Sequence, residues 1–248
     1  MRIAVFSDMH GNAIALDAVL ADFAAKPGDQ LICLGDAIQG GPQPREVVAR
    51  LRGLGCPVVM GNADDWLLSG QASDAESIDD ERQRRLDAVR LWSLAQLSEA
   101  DRTFIQNFRP SVELALGDRR KLLGYHGSPK SFDDVIVPST PDETVQAWLE
   151  PDESIVYAGG HTHIQFVRHF GRTFHFNPGS VGFAYRHDQD ERETFRADPW
   201  AEYAIVSIAG ARSSLEFCRV PFDLQALLDA YQSSGRPFAE DAIHQYRG

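Results

Sequence analysis

Residues 3–12 read Ile3-Ala4-Val5-Phe6-Ser7-Asp8-Met9-His10-Gly11-Asn12, four apolar residues running straight into an Asp-x-His triplet and a glycine. An apolar run of that length, closed by Ser and Asp, is the signature of a buried strand. The helical pattern after it, Ala13-Phe23, sets Leu16, Val19, Leu20 and Phe23 on one stripe. Leu31-Leu34 repeats the strand signature, Arg45-Leu54 the helical one through Val47, Val48, Leu51 and Leu54, and Pro57-Met60 the strand again. This β-α-β-α-β opening predicts an α/β fold whose parallel strands present ligands at their carboxyl ends.

Further strand-like runs occur at Lys121-Tyr125, Ile155-Ala158, Thr173-Phe176, Tyr203-Ile208 and Ser214-Val220, the last two joined across Gly210 as a hairpin. Between about 70 and 110 the texture changes. A polar, acidic lead-in precedes a long helix over Asp79-Leu97, and Ser98 with Asp101 reads as a capping box. We read this stretch as a helical insertion in a single domain spanning residues 1–248. Its plain role is a covering layer; a homo-oligomer contact through Leu91, Trp92 and Leu94 is the other role open to it. A helix over Asp223-Tyr231 packs near the end, and His187-Trp200 reads as an exposed loop.

Composition removes several function classes. With 24 Lys+Arg against 36 Asp+Glu the formal charge is −12, which disfavours non-specific nucleic-acid binding. No apolar run approaches the roughly 18 residues that cross a bilayer, and no secretory core comes after Arg2, so a cytoplasmic location with no membrane partner is expected. Cys33, Cys56 and Cys218 form no C-x-x-C pair and are expected as reduced thiols.

The residues suited to chemistry sit at the ends of the strands. Ser7-Asp8-Met9-His10, Gly35-Asp36, Gly61-Asn62, His126-Gly127 and Gly160-His161-Thr162-His163 each begin where an apolar run stops. Strand ends on one sheet edge would bring Asp8, His10, Asp36, Asn62, His126, His161 and His163 together. The i, i+2 spacing of Asp8/His10 and of His161/His163 would turn each pair to one face if the backbone is extended. Seven oxygen and imidazole ligands exceed what one zinc takes and suit two divalent ions, with Asp36 able to bridge. Without a thiolate, manganese, iron, zinc and nickel all fit.

The ordered set Asp8-x-His10, Gly35-Asp36, Gly61-Asn62, His126 and Gly160-His161-x-His163 resembles the calcineurin-like metallophosphoesterase superfamily over nearly the whole chain. Asn177-Pro178-Gly179-Ser180-Val181-Gly182 resembles a segment of its small bacterial and archaeal phosphodiesterase branch. The resemblance implies a four-layer α/β/β/α sandwich of two mixed sheets flanked by helices. It implies that Asp8, His10, Asp36 and His163 hold a first metal and Asp36, Asn62, His126 and His161 a second.

The implied reaction is hydrolysis of a small phosphorylated substrate, a phosphate ester. Two ions about 3.5–4 Å apart acidify a bridging water and bind phosphoryl oxygens for in-line attack. Asp36, Asn62 and His126 carry the catalytic expectation; Asn12, Asn62 and Arg186 are expected to touch substrate. Asn12 can equally cap the first helix, and Arg186 can equally be a solvated loop residue.

One departure matters. Many of these phosphatases carry a His after the motif Asn to protonate the leaving group; this chain has Ala63, with Asp64 next. Losing such an acid costs about 10²–10⁴ in rate on poor leaving groups. Phosphodiesters are therefore the expected substrates, with dinucleoside polyphosphate or protein phosphatase activity as the alternatives. A non-catalytic binding scaffold on the same fold, as in the retromer coat, is the rival from another class.

Overall fold

The computed structural model describes residues 1–25, 30–71, 79–117, 119–170, 172–189, 195–210 and 212–247. In the first sheet β1 (Arg2–Phe6) lies between β2 (Gln30–Cys33), parallel to it, and β8 (Trp200–Ala209), antiparallel, with β9 (Arg212–Pro221) outside β8. The second sheet has β4 (Arg120–Gly124), β5 (Ile155–Ala158) and β7 (Thr173–Pro178) running parallel. Antiparallel edges β3 (Val112–Gly117) and β6 (Gln165–Phe170) flank them.

Alternation along β1 explains how the sheets stack. Ile3 and Val5 face Leu122, Val156, Ala158 and Phe176 in the core between the sheets, while Ala4 and Phe6 point the other way. On that outer side α1 (Ala13–Ala25) and α2 (Pro44–Leu54) bury Leu16, Val19, Val47, Val48 and Leu51. Over the second sheet α6 (Asp142–Leu149) lays Val145 and Leu149 on Tyr125, Tyr157 and Phe170. The expected four layers are present. Leu122 is fully buried in the central layer, so Leu122→Ala is expected to cost about 2–5 kcal/mol in urea unfolding.

Several elements differ from the sequence reading. Pro57-Met60 is not a strand: only Val58 bridges to Cys33, and Val59 to Arg109. The chain then turns directly into α3 (Asn62–Ser69). Strands β3 and β6, and helices α3, α6 and α8 (Ala239–Arg247), were not expected; α8 packs on α7 (Leu224–Ser234) and Ile14.

The insertion contains α4 (Asp80–Gln96), capped by Asp79, and α5 (Glu99–Gln106), which starts with the expected Ser98/Asp101 capping box. Leu94 turns inward against the core, which removes it from the expected oligomer face, whereas Leu91 is 59% exposed. Residues 72–78 of the expected lead-in and 190–194 of the expected loop lie outside the described residues. The three cysteines are free. Among the described residues no helix is long and apolar enough to cross a membrane.

Candidate metal centre

Backbone geometry marks the site first. Among the described residues eight non-glycine positions have positive φ, and five are Asp8 (57°), His10 (46°), Asp36 (49°), His161 (71°) and His163 (59°). Left-handed backbone at such residues costs on the order of 1–3 kcal/mol each and persists where surrounding bonds enforce it. This corrects the expectation of extended backbone. Asp8 and His10 still share one cluster, but His161 and His163 separate into two.

Two triads result: Asp8, His10 and His163, and Asp36, His126 and His161, the ligand atoms of each within 4.8 Å of one another. In the first, Asp8 Oδ1 lies 3.4 Å from His163 Nε2 and 3.9 Å from His10 Nε2. Asp36 Oδ2 stands between the triads, 3.8 Å from His10 Nε2 and 3.4 Å from His126 Nε2. Asn62 Oδ1 completes the second cluster at 3.0 Å from His126 Nε2. All seven expected ligands therefore converge. Six of them do so from the ends of two facing sheets, β1 and β2 in one and β4 and β5 in the other, and Asn62 from the start of α3, not from one parallel edge.

The imidazoles are aimed from behind. Nδ1 of His10 donates to Gln39 O (2.9 Å), that of His126 to Leu34 O (2.8 Å) and that of His163 to Phe183 O (2.8 Å). Each bond fixes the ring and leaves Nε2 to face the cluster. The Nε2 atoms of His10 and His163 are then only 3.1 Å apart, and two lone pairs cannot face each other at that distance without a proton or cation between them. Asp8 Oδ1 is buried and accepts no hydrogen bond among the described residues. The donor set, the facing imidazoles and the orphaned oxygen fit divalent cations.

Protonation obeys the same division. Burial opposes charge on His126, but Asp36 beside it prevails and raises its pKa to about 9. Burial likewise opposes charge on His163, and Asp8 prevails to raise it. For His10 and His161 burial wins, and both are lowered. Burial works against Asp8 and Asp36 too, yet the neighbouring imidazoles hold both carboxyls below the ordinary range. Each triad thus has one imidazole whose protonated form its carboxylate favours, at the place where a cation would sit.

Close approach explains the flanking glycines. A Cβ on Gly61 would sit 2.1 Å from Asp36 Oδ1, and one on Gly160 2.2 Å from Ser7 Oγ and 3.1 Å from Asp8 Oδ2. The Asn177–Ser180 turn is a brace. Asn177 Nδ2 donates to Gly160 O (2.6 Å) and Ser180 Oγ to Asp8 O (2.8 Å), tying the two ligand loops together.

Asp64, left without an imidazole to orient by the loss of a His at 63, has another task. Fully buried, it accepts the N–H groups of Ala37 and Ile38 at 3.1 Å, fixing the turn that leaves Asp36. Burial, with Asp36 nearby, pushes its pKa up to about 7. Sequence signals point to neither this role nor the Gln39 and Phe183 carbonyls, since backbone acceptors carry no residue code.

Two expected substrate contacts are engaged within the protein itself. Asn12 is buried; its Oδ1 accepts from Ala15 N (2.9 Å) as helix cap and its Nδ2 donates to Gly182 O (3.2 Å). The cap role is the one its geometry carries. Arg186 pairs with Asp188 at 3.0 Å in an exposed loop.

The fold agrees with that of known proteins. The calcineurin-like phosphoesterase superfamily domain matches residues 1–198, and the chain belongs to that superfamily. It is 30% identical over 195 residues to protein MJ0912 of Methanocaldococcus jannaschii, covering 73% of this chain and 76% of that one. It is 26% identical over 192 residues to the phosphodiesterase YfcE of Escherichia coli K12, covering 73% and 79%. The crystal structure of a metallophosphoesterase from Sphaerobacter thermophilus superposes with a TM-score of 0.71 at 24% identity, covering 98% of this chain and 97% of that one, and shows the same fold.

Proposed function

We propose that the protein is a dinuclear-metal phosphoesterase acting on phosphodiesters. The observation that carries this reading is the position of Asp36 Oδ2, within 4 Å of an Nε2 from each triad, so that one carboxylate serves both clusters. Asp8, His10, His163 and Asp36 would hold one ion, and Asp36, Asn62, His126 and His161 the other. Two divalent ions so held supply an acidified water and Lewis-acid binding of phosphoryl oxygens.

The chain's own residues set the geometry of the reaction. Gln39, Leu34 and Phe183 carbonyls lock three imidazoles, and the Ala63 N–H holds Asp36 Oδ1 at 2.8 Å so that Oδ2 stays between the triads. Ala63 offers no proton to a departing oxygen, which favours substrates whose leaving group needs none. The phosphodiesterase name of the YfcE relative supports the same substrate class.

The test is turnover of bis-p-nitrophenyl phosphate against p-nitrophenyl phosphate and an alkyl monoester by manganese-loaded protein, with elemental analysis of the same sample. Two metal ions per chain and a preference for the diester are expected. A loaded protein that hydrolyses none of the three would overturn the reading in favour of a binding scaffold.

A further inference from the structure

We infer that the C-terminal helical pair positions the first triad, with Arg236 steering His10 through the turn at Gln39–Gly41. The inference rests on reading the triads as metal sites and concerns residues beyond the 1–198 span of the superfamily domain.

The turn grips His10 at both ends. Gln39 O accepts the His10 Nδ1 proton at 2.9 Å, and Gly41 N donates to His10 O at 2.6 Å. Between them, Gly40 O accepts from Arg236 Nε, reaching across from the link between α7 and α8. The same guanidinium donates through Nη1 to Pro237 O (2.9 Å) and Phe238 O (3.3 Å), and lies 5.6 Å from the centre of the Tyr231 ring. One planar cation therefore ties its own link to the turn behind His10. Burial pulls its pKa below the usual arginine value, the mark of a cation held out of water at a cost.

Two further observations agree. Phe238, two residues on, has φ 58°, so the link is held in strained left-handed backbone outside the ligand loops. On α8, the Tyr246 hydroxyl donates to Gly182 O (3.2 Å), and the Gly182 N–H donates to Asp8 O (3.0 Å). The next carbonyl, Phe183 O, accepts the His163 Nδ1 proton. The helical pair thus backs all three members of the first triad: His10 through Arg236, Asp8 and His163 through Tyr246. The second triad is backed from elsewhere, by Leu34 O behind His126 and Ala63 N on Asp36.

Arg236 is a positioning residue, and its effect should be confined to one metal site. The test uses the full chain stripped by chelator and titrated with manganese, reading the free-ion paramagnetic resonance signal. His126→Ala isolates the first triad and His10→Ala the second.

Adding Arg236→Met should weaken manganese binding about tenfold in the His126→Ala background and leave it unchanged in the His10→Ala background. Arg236→Lys, which can still donate to Gly40 O, should recover most of the loss. The metal-free melting temperature should fall by about 2–4 °C for each hydrogen bond lost.

Equal loss in both backgrounds, no loss in the first, or Lys no better than Met would overturn the inference. If the Met variant does not fold, Tyr246→Phe decides: a smaller loss in the first background supports it, and unchanged affinity refutes it. No substrate enters the measurement, so failure of the phosphodiesterase assay leaves this result standing. A parent chain that binds no manganese removes the metal reading and this inference together.

Discussion

Replacing Asp36 by Asn should lower kcat/KM for bis-p-nitrophenyl phosphate by at least about 100-fold, since even an outer partner of a metal ligand commonly accounts for 10–100-fold. The side chain keeps its shape, so the effect comes from electrons and not from packing. Asp36 uses Oδ1 to accept the Ala63 N–H at 2.8 Å and turns Oδ2 to both triads. An amide can satisfy only one of those demands. With its oxygen on Ala63, it points N–H bonds at His10 and His126 and offers no lone pair to a cation. Reversed, it sets two donors against each other at Ala63. Elemental analysis should show fewer metal ions per chain than in the parent, and circular dichroism an unchanged fold. Equal turnover by the two proteins would remove Asp36 from the chemistry.

Burial explains why so much of this site is legible in sequence while some of the fold is not. Strands β1 and β5 lie inside their sheets and read as near-continuous apolar runs, as does inner strand β4 from Leu122 on, each leading directly into candidate ligands. Edge strands β3 and β6 alternate between buried and exposed positions, with Glu113 and His169 on their open faces, so their runs are broken. The unexpected helices, α3, α6 and α8, have eight or nine residues each, too few for a 3.6-residue period to declare itself.

Pro57-Met60 has the composition of a strand but makes only single bridges before Gly61 turns the chain into α3. The left-handed backbone at five ligands is invisible for a different reason. It is imposed by distant partners such as Gly35 O, which accepts the Asp8 N–H at 2.9 Å, and by Asp64, which accepts from Ala37 and Ile38. Such angles are uncommon at any non-glycine residue, and although Asp and His enter them more readily than most, nothing local in the sequence calls for them.

Those imposed contacts also determine how the site responds to pH. In the metal-free protein His126 donates from Nδ1 to Leu34 O and faces Asn62 Oδ1 at 3.0 Å with Nε2. Two acceptors on one ring require the doubly protonated form, consistent with the pKa of about 9 that Asp36 maintains against burial. A group raised from 6.5 to about 9 stabilises the metal-free fold fully below pH 6.5, and that contribution is lost as pH rises through about 9.

For a metal the sign is opposite, because the ligand must surrender the proton before it can bind. Manganese affinity is therefore expected to rise about tenfold per pH unit for each proton displaced between pH 6.5 and about 9, and to level off above. His163, which Asp8 raises against burial, adds to the protons a cation displaces. Calorimetric titration at pH 7 in buffers of different ionisation enthalpy should count at least one proton released as both sites fill, the one His126 holds. In a His126→Ala chain the count should fall and the rise toward pH 9 should flatten. A parent protein whose manganese affinity is level from pH 6.5 to 9 would show that these imidazoles are not the ligands.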